Sequence, residues 1–110
     1  MKIAIPMAQG ALCMHFGHCS EFAIVEVENG EIKSITEDVP PPHEPGLLPP
    51  WLAAKGVSLV IAGGMGSRAQ TIFNANGVQV VTGASGGAAR EIVERYLAGS
   101  LETGANACDH

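Results

Sequence analysis

At 110 residues and 11.3 kDa, the chain is long enough to bury one core and too short to hold two. An apolar fraction of 46% against 15% charged residues places it with compact globular proteins rather than disordered ones. The net charge of −5, with only six scattered basic residues, excludes nucleic acid as a partner, and no apolar run approaches the ~20 residues of a membrane span.

The opening MKIAIPMAQG holds one lysine and an apolar run that ends at Pro6. This predicts a first strand over Lys2 to Pro6 rather than a signal peptide. Residues 7–20 show no helical or strand periodicity and are expected to form a loop of functional length. EFAIVEVENGEIKSIT then alternates on both sides of Asn29-Gly30, the turn pair whose tolerance of positive φ marks a tight hairpin. Antiparallel strands are therefore expected over Glu21 to Glu28 and Glu31 to Thr36. DVPPPHEPGLLPP contains six of the seven prolines and reads as a stiff, extended connector. Its last prolines suit a first helical turn, so a short helix is expected from Pro49 to Lys55, stopped by Gly56.

SLVIAGG is a continuous apolar run, as in a strand buried on both faces. Ala69, Ile72 and Phe73 fall at helical spacing and are closed by Asn76-Gly77; VQVV supplies a fifth strand. A last helix carries Ala89, Ile92, Val93, Tyr96 and Leu97 on one face and ends at Gly99. Residues 100–110 read as a polar tail holding Cys108 and His110. The predicted order is β-β-β-α-β-α-β-α, an α/β domain over residues 1–99. A five-stranded mixed sheet with helices on both faces, ordered as in ribonuclease H-like folds, is expected. Three cysteines are too few and too odd in number for a secreted disulfide framework, which leaves a reduced, cytoplasmic protein as the expectation.

In an open α/β sheet, ligands bind beyond the carboxyl ends of the parallel strands, where strand order reverses. Three loops leave such ends: the 7–20 loop with CMHFGHC, GGMGSRA over Gly63 to Ala69, and TGASGGAA over Thr82 to Ala89. They converge on one rim if the first strand is central. The second and third loops open directly into helices, so free N–H groups and a positive helix end face a ligand. Gly64, Met65, Gly66 and Arg68 in one, and Ser85 and Gly86 in the other, are the candidate residues. Tight βα turns would also explain such glycines, but two together favour an anion. No Gly-Lys-Ser/Thr follows, which disfavours a nucleotide.

The first loop supplies soft donors: Cys13, Met14, His15 and His18, with Phe16 and Gly17 between them. Sulfur and imidazole suit copper, iron–sulfur or thiometal chemistry. The spacing is not that of a zinc finger, Cys19 reads as a small buried hydrophobe, and Phe16 reads as a core plug. One ligand accounts for all three loops: an anionic metal–sulfur cluster, with His15 and His18 as the candidate metal ligands. A thiol-dependent or zinc-dependent enzyme ranks last, because no recognisable nucleophile–base pair is present. No enzymatic activity is expected. A small regulatory or protein-interaction module, with metal incidental to it, stays open as the alternative.

HFGHC after a first strand, LVIAGGMGSRA in the middle and GASGGAAREIVERYLAG at the close together resemble the dinitrogenase iron–molybdenum cofactor biosynthesis family, over Met1 to about Gly99. PPHEPGLLPPWLAAKGV and the terminal CDH resemble its small stand-alone members, the orange-protein subgroup of sulfate-reducing bacteria. One member of that group is known for a mixed molybdenum–copper sulfide cluster held without covalent attachment. The resemblance implies a ribonuclease H-like fold and the binding, carriage or storage of a metal cluster: molybdenum–copper sulfide, or a related molybdenum or iron–sulfur species. Cofactor-assembly proteins or an ATPase are the protein partners it implies. The matching positions are His15, Phe16 and Gly17, then Gly63, Gly64, Met65, Gly66 and Arg68, with His43 of the proline-rich connector matching the subgroup.

Overall fold

The computed structural model describes residues 1–8, 10–12, 21–39, 48–84 and 87–99. Nine elements follow in order: β1 (Lys2–Ala8), β2 (Ala11–Leu12), β3 (Glu21–Glu28), β4 (Glu31–Asp38), α1 (Leu48–Ala54), β5 (Val57–Ile61), α2 (Ser67–Ala75), β6 (Gln79–Val81) and α3 (Ala89–Leu97). The sheet runs β4-β3-β1-β5-β6, with β2 paired to β1 off this path. β3 is antiparallel to both β1 and β4, while β1, β5 and β6 are mutually parallel. The fold is thus α/β with a mixed sheet, and β1 is central, the condition under which the three loops converge.

Alternation along the strands divides the interior into two cores. Ile3, Ile5 and Met7 of β1, Ala23, Val25 and Val27 of β3, and Leu59 and Ile61 of β5 face α3. There they meet Ala89, Ile92 and Val93, with Tyr96 and Leu97 packed at the margin, the face that the helical spacing anticipates. On the other side Ala4, Phe22, Ile24 and Val60 pack with Leu48 and Leu52 of α1 and Phe73 of α2. Helices therefore cover both faces.

Turn chemistry sets several boundaries. Asn29 (φ 53°) and Gly30 (φ 76°) both occupy the left-handed region, as a two-residue hairpin turn of this hand requires. At the end of α2 the Gly77 N–H donates to the Asn74 carbonyl and the Val78 N–H to that of Phe73. This is the paired bonding of a Schellman stop, and it buries Val78 in the same core as Phe73.

Two expectations need correcting. β1 does not stop at Pro6 but continues to Ala8, and part of the expected 7–20 loop returns as β2, pairing Met7 with Leu12 and Ala8 with Ala11. Among the described residues the sheet therefore has six strands where five were expected. A two-residue strand is too short for alternation to register in sequence. Proline is tolerated in the central strand because β5 pairs with β1 only as far as Ala4, so the missing N–H at Pro6 breaks no parallel-ladder bond.

α1 is anchored by Trp51, whose ring lies 5.9 Å from that of Phe22. Lys55 sits 4.7 Å above the Trp51 ring and reaches Asp38 at 3.0 Å. Both partners of that ion pair are about one-third exposed, so it contributes only about 0–1 kcal/mol, whereas fully buried Leu52 carries a large apolar burial. Asp38→Asn is expected to lower stability by less than ~1 kcal/mol and Leu52→Ala by about 2–5 kcal/mol, measured by urea denaturation.

Candidate functional site

The strand order reverses at β1. Its course past Ala4 leaves β5 behind, and the edge so vacated is taken by β2, so that Met7 pairs with Glu21 of β3 on one side and Leu12 of β2 on the other. The Leu12 N–H then donates to the Gly87 carbonyl at 3.0 Å, tying β2 to the approach to α3. The turns after β5 and β6 are laced in the same way: Gly83 donates to the Gly63 carbonyl at 2.9 Å and Ala84 to that of Ala62 at 3.2 Å. Described parts of all three predicted loops thus meet at one rim, beyond the carboxyl ends of the parallel strands.

Two helices begin there. α2 is capped by Gly66 and α3 by Ala88, and neither cap makes a side-chain hydrogen bond to its helix. Serine, threonine, aspartate or asparagine at such positions would occupy the first-turn N–H groups; glycine and alanine leave them for another acceptor, with the positive end of the helix behind them.

Gly66 is informative for a second reason. Its backbone (φ −63°, ψ 152°) is one that any residue adopts, and a Cβ built there meets nothing within 4 Å. Neither conformation nor packing demands glycine. Its lack of a side chain keeps the helix end open to an approaching group. Arg68, in the first turn of α2, is exposed beside it.

Gly63 and Gly64 are buried, and so is Met65, fully, among the residues packed with Leu52 and Phe73. Met65, a candidate residue of the second loop, thus has its side chain in the core rather than at the rim. The residue preceding a helix cap turns inward to fix the angle at which the chain enters the helix. Its carbonyl accepts a hydrogen bond from Gln70 Nε2 at 2.9 Å, and sequence reasoning did not single out Gln70.

Cys13, Met14, His15, Phe16, Gly17, His18, His43, Ser85 and Gly86 lie outside the described residues, as do Cys19, Cys108 and His110. Among the described residues no three histidine, cysteine or acidic side chains gather closely enough to hold a metal ion, and no helix is long and apolar enough to cross a membrane.

The sequence profile of the family described as "Dinitrogenase iron-molybdenum cofactor" matches residues 1–99. The chain belongs to the dinitrogenase iron–molybdenum cofactor family. An uncharacterized protein of Methanocaldococcus jannaschii, MJ0580, is 37% identical over 107 residues, covering 93% of this chain and 90% of its own. The crystal structure of PH0822 is similar at a TM-score of 0.87 and 30% identity, with 94% of each chain covered. The apo form of the orange protein from Desulfovibrio gigas shares the fold at a TM-score of 0.74 and 23% identity, over 96% of this chain and 93% of its own. Family membership points to a metal-cluster-related role.

At the end of β3 nearest this rim, Glu21 is held above the ordinary carboxylate range by partial burial and by the neighbouring Glu37 carboxyl, which both accepts its proton in a hydrogen bond and repels its charge. The folded chain thus keeps a proton that the unfolded chain releases. This contribution to stability declines as pH rises from the ordinary glutamate value to the raised one. Carbon-13 NMR titration should find Glu21 above a normal glutamate and should show it falling towards normal in Glu37→Gln. Gly66→Ala, by contrast, should change folding stability by at most about 1 kcal/mol, as read by thermal melting.

Proposed function

We propose that the protein binds and carries or stores an anionic metal–sulfur cluster, held without covalent attachment across the rim. The observation that carries this reading is the pair of helices whose N-termini lack capping side chains and open at the carboxyl ends of adjacent parallel strands. Such groups attract anions. Arg68 adds a fixed positive charge on an otherwise acidic chain, and family membership makes a metal cluster the fitting anion.

The finer reading is a molybdenum-containing cluster, molybdenum–copper sulfide or a related iron–sulfur species. It rests on the subgroup resemblance and on the soft donors Cys13, Met14, His15 and His18 in the first loop. In this reading His15 and His18 are the candidate hydrogen-bond donors or metal ligands, and Phe16, Gly17 and His43 are the further positions that match the family or its subgroup. Ser85 and Gly86 are the candidates of the third loop. The strand order, with β3 antiparallel to its neighbours, supports the ribonuclease H-like label for the fold. A binding and carrier role without turnover, in the cytoplasm and in exchange with cofactor-assembly proteins or an ATPase, completes the proposal.

Tetrathiomolybdate with copper(I) should develop a stable charge-transfer spectrum on the protein. Arg68→Ala together with His15→Ala should weaken retention by about 10–100-fold, the worth of losing one or two hydrogen bonds to a charged group. Gly66→Ala should weaken it while leaving the melting temperature nearly unchanged. Unaltered titration curves in all three proteins would sink the cradle.

A further inference from the structure

The chain carries the pair Asn-Gly twice, at Asn29-Gly30 between β3 and β4 and at Asn76-Gly77 after α2. An asparagine before glycine is prone to lose its side-chain amide, because glycine has no Cβ to shield its peptide nitrogen or restrict its backbone. That nitrogen gives up its proton to hydroxide and bonds to the asparagine Cγ. The Cγ–Nδ2 bond then breaks, ammonia leaves, and a cyclic succinimide remains. Water opens the ring at either carbonyl, giving aspartate or isoaspartate.

All four residues are exposed, so access of water does not separate the two pairs. Hydrogen bonding does. The Asn76 side-chain Nδ2 donates to the Ile72 carbonyl at 2.8 Å. The Asn76 N–H donates to the Phe73 carbonyl at 3.0 Å, and the nitrogen that would attack, that of Gly77, donates to the Asn74 carbonyl at 3.1 Å. Val78, next along the chain, is bonded to the Phe73 carbonyl and buried. Turning the Gly77 nitrogen onto the Asn76 Cγ therefore means opening the end of α2. At the other pair, the described residues show no hydrogen bond to the Asn29 side chain or from the Gly30 N–H. The turn is closed by the Glu28–Glu31 pair and opens an edge strand, where local opening costs little.

We propose that Asn29 is the site at which the folded protein deamidates, and that the end of α2 protects Asn76 from the same reaction. Isoaspartate carries an extra carbon through the backbone of a two-residue turn whose length sets the β3–β4 register. Either product also adds a carboxylate between Glu28 and Glu31. Conversion thus loosens the hairpin from its tip. The tip lies at the end of the sheet away from the rim, since Glu26 pairs with Lys2 at the start of β1, so the reaction is independent of any ligand there.

The test incubates the full chain at mildly alkaline pH, folded and in concentrated urea, and follows the peptides holding each pair by mass spectrometry. In urea the two sites should convert at similar rates, since the dipeptide is the same. In the folded protein Asn76 should convert at least about tenfold more slowly than Asn29, the worth of one or two hydrogen bonds. Asn29→Gly keeps a residue suited to the left-handed turn and removes the amide. That variant, with the circular dichroism of the parent, should form almost no isoaspartate while folded. Equal rates at the two sites in the folded parent, faster conversion at Asn76, or no conversion at Asn29 in the time it takes in urea overturns the assignment.

Discussion

The edge of β1 governs the rim. For its first residues this strand is bonded on one side to β3 and on the other to β5; past Ala4 the second edge passes to β2. That change of partner separates β1 from β5 at the carboxyl end of the sheet, and it lets the segment beyond β1 fold back over the opening. Because Leu12 is bonded to Gly87, and Gly83 to Gly63, turns far apart in sequence are joined through main-chain hydrogen bonds. A site made this way is placed by the backbone ladder, and side chains can vary around it without moving it.

The energetic division follows from that placement. Stability comes from two apolar layers, with α3 over one face and α1 and α2 over the other. No polar or charged side chain among the described residues is fully buried, so no buried ion pair carries a desolvation penalty in the core. At the rim, two helix ends lack side-chain caps. The missing cap costs about 1 kcal/mol of helix stability at Ala88 and only a few tenths of a kcal/mol at Gly66.

Much of this was legible in the sequence because it rests on short-range rules. Asn29-Gly30 announces its hairpin, and Asn76-Gly77 the end of α2. The spacing of Ala89, Ile92, Val93, Tyr96 and Leu97 marks the face of α3. β2 was not legible, since two residues carry no period. The inward turn of Met65 was hidden for a related reason: a methionine in a glycine-rich stretch suits a ligand wall and a core equally well until its neighbours are known. Gln70 looked like an ordinary helix residue, and only the position of the Met65 carbonyl gives its side chain a partner. A glutamine at the fourth position after an uncapped glycine turn was the one local cue.

By itself, the sequence determined the family, the α/β order of elements and the composition of the rim loops, because motifs, turn residues and hydrophobic periodicity are local properties of the chain. Tertiary structure alone decided that β1 changes partners at Ala4, that Met65 belongs to the core, and that the Gln70 side chain bonds to the Met65 carbonyl. These depend on pairing and packing between segments distant in sequence, or on which way a peptide plane faces. No local pattern encodes either one.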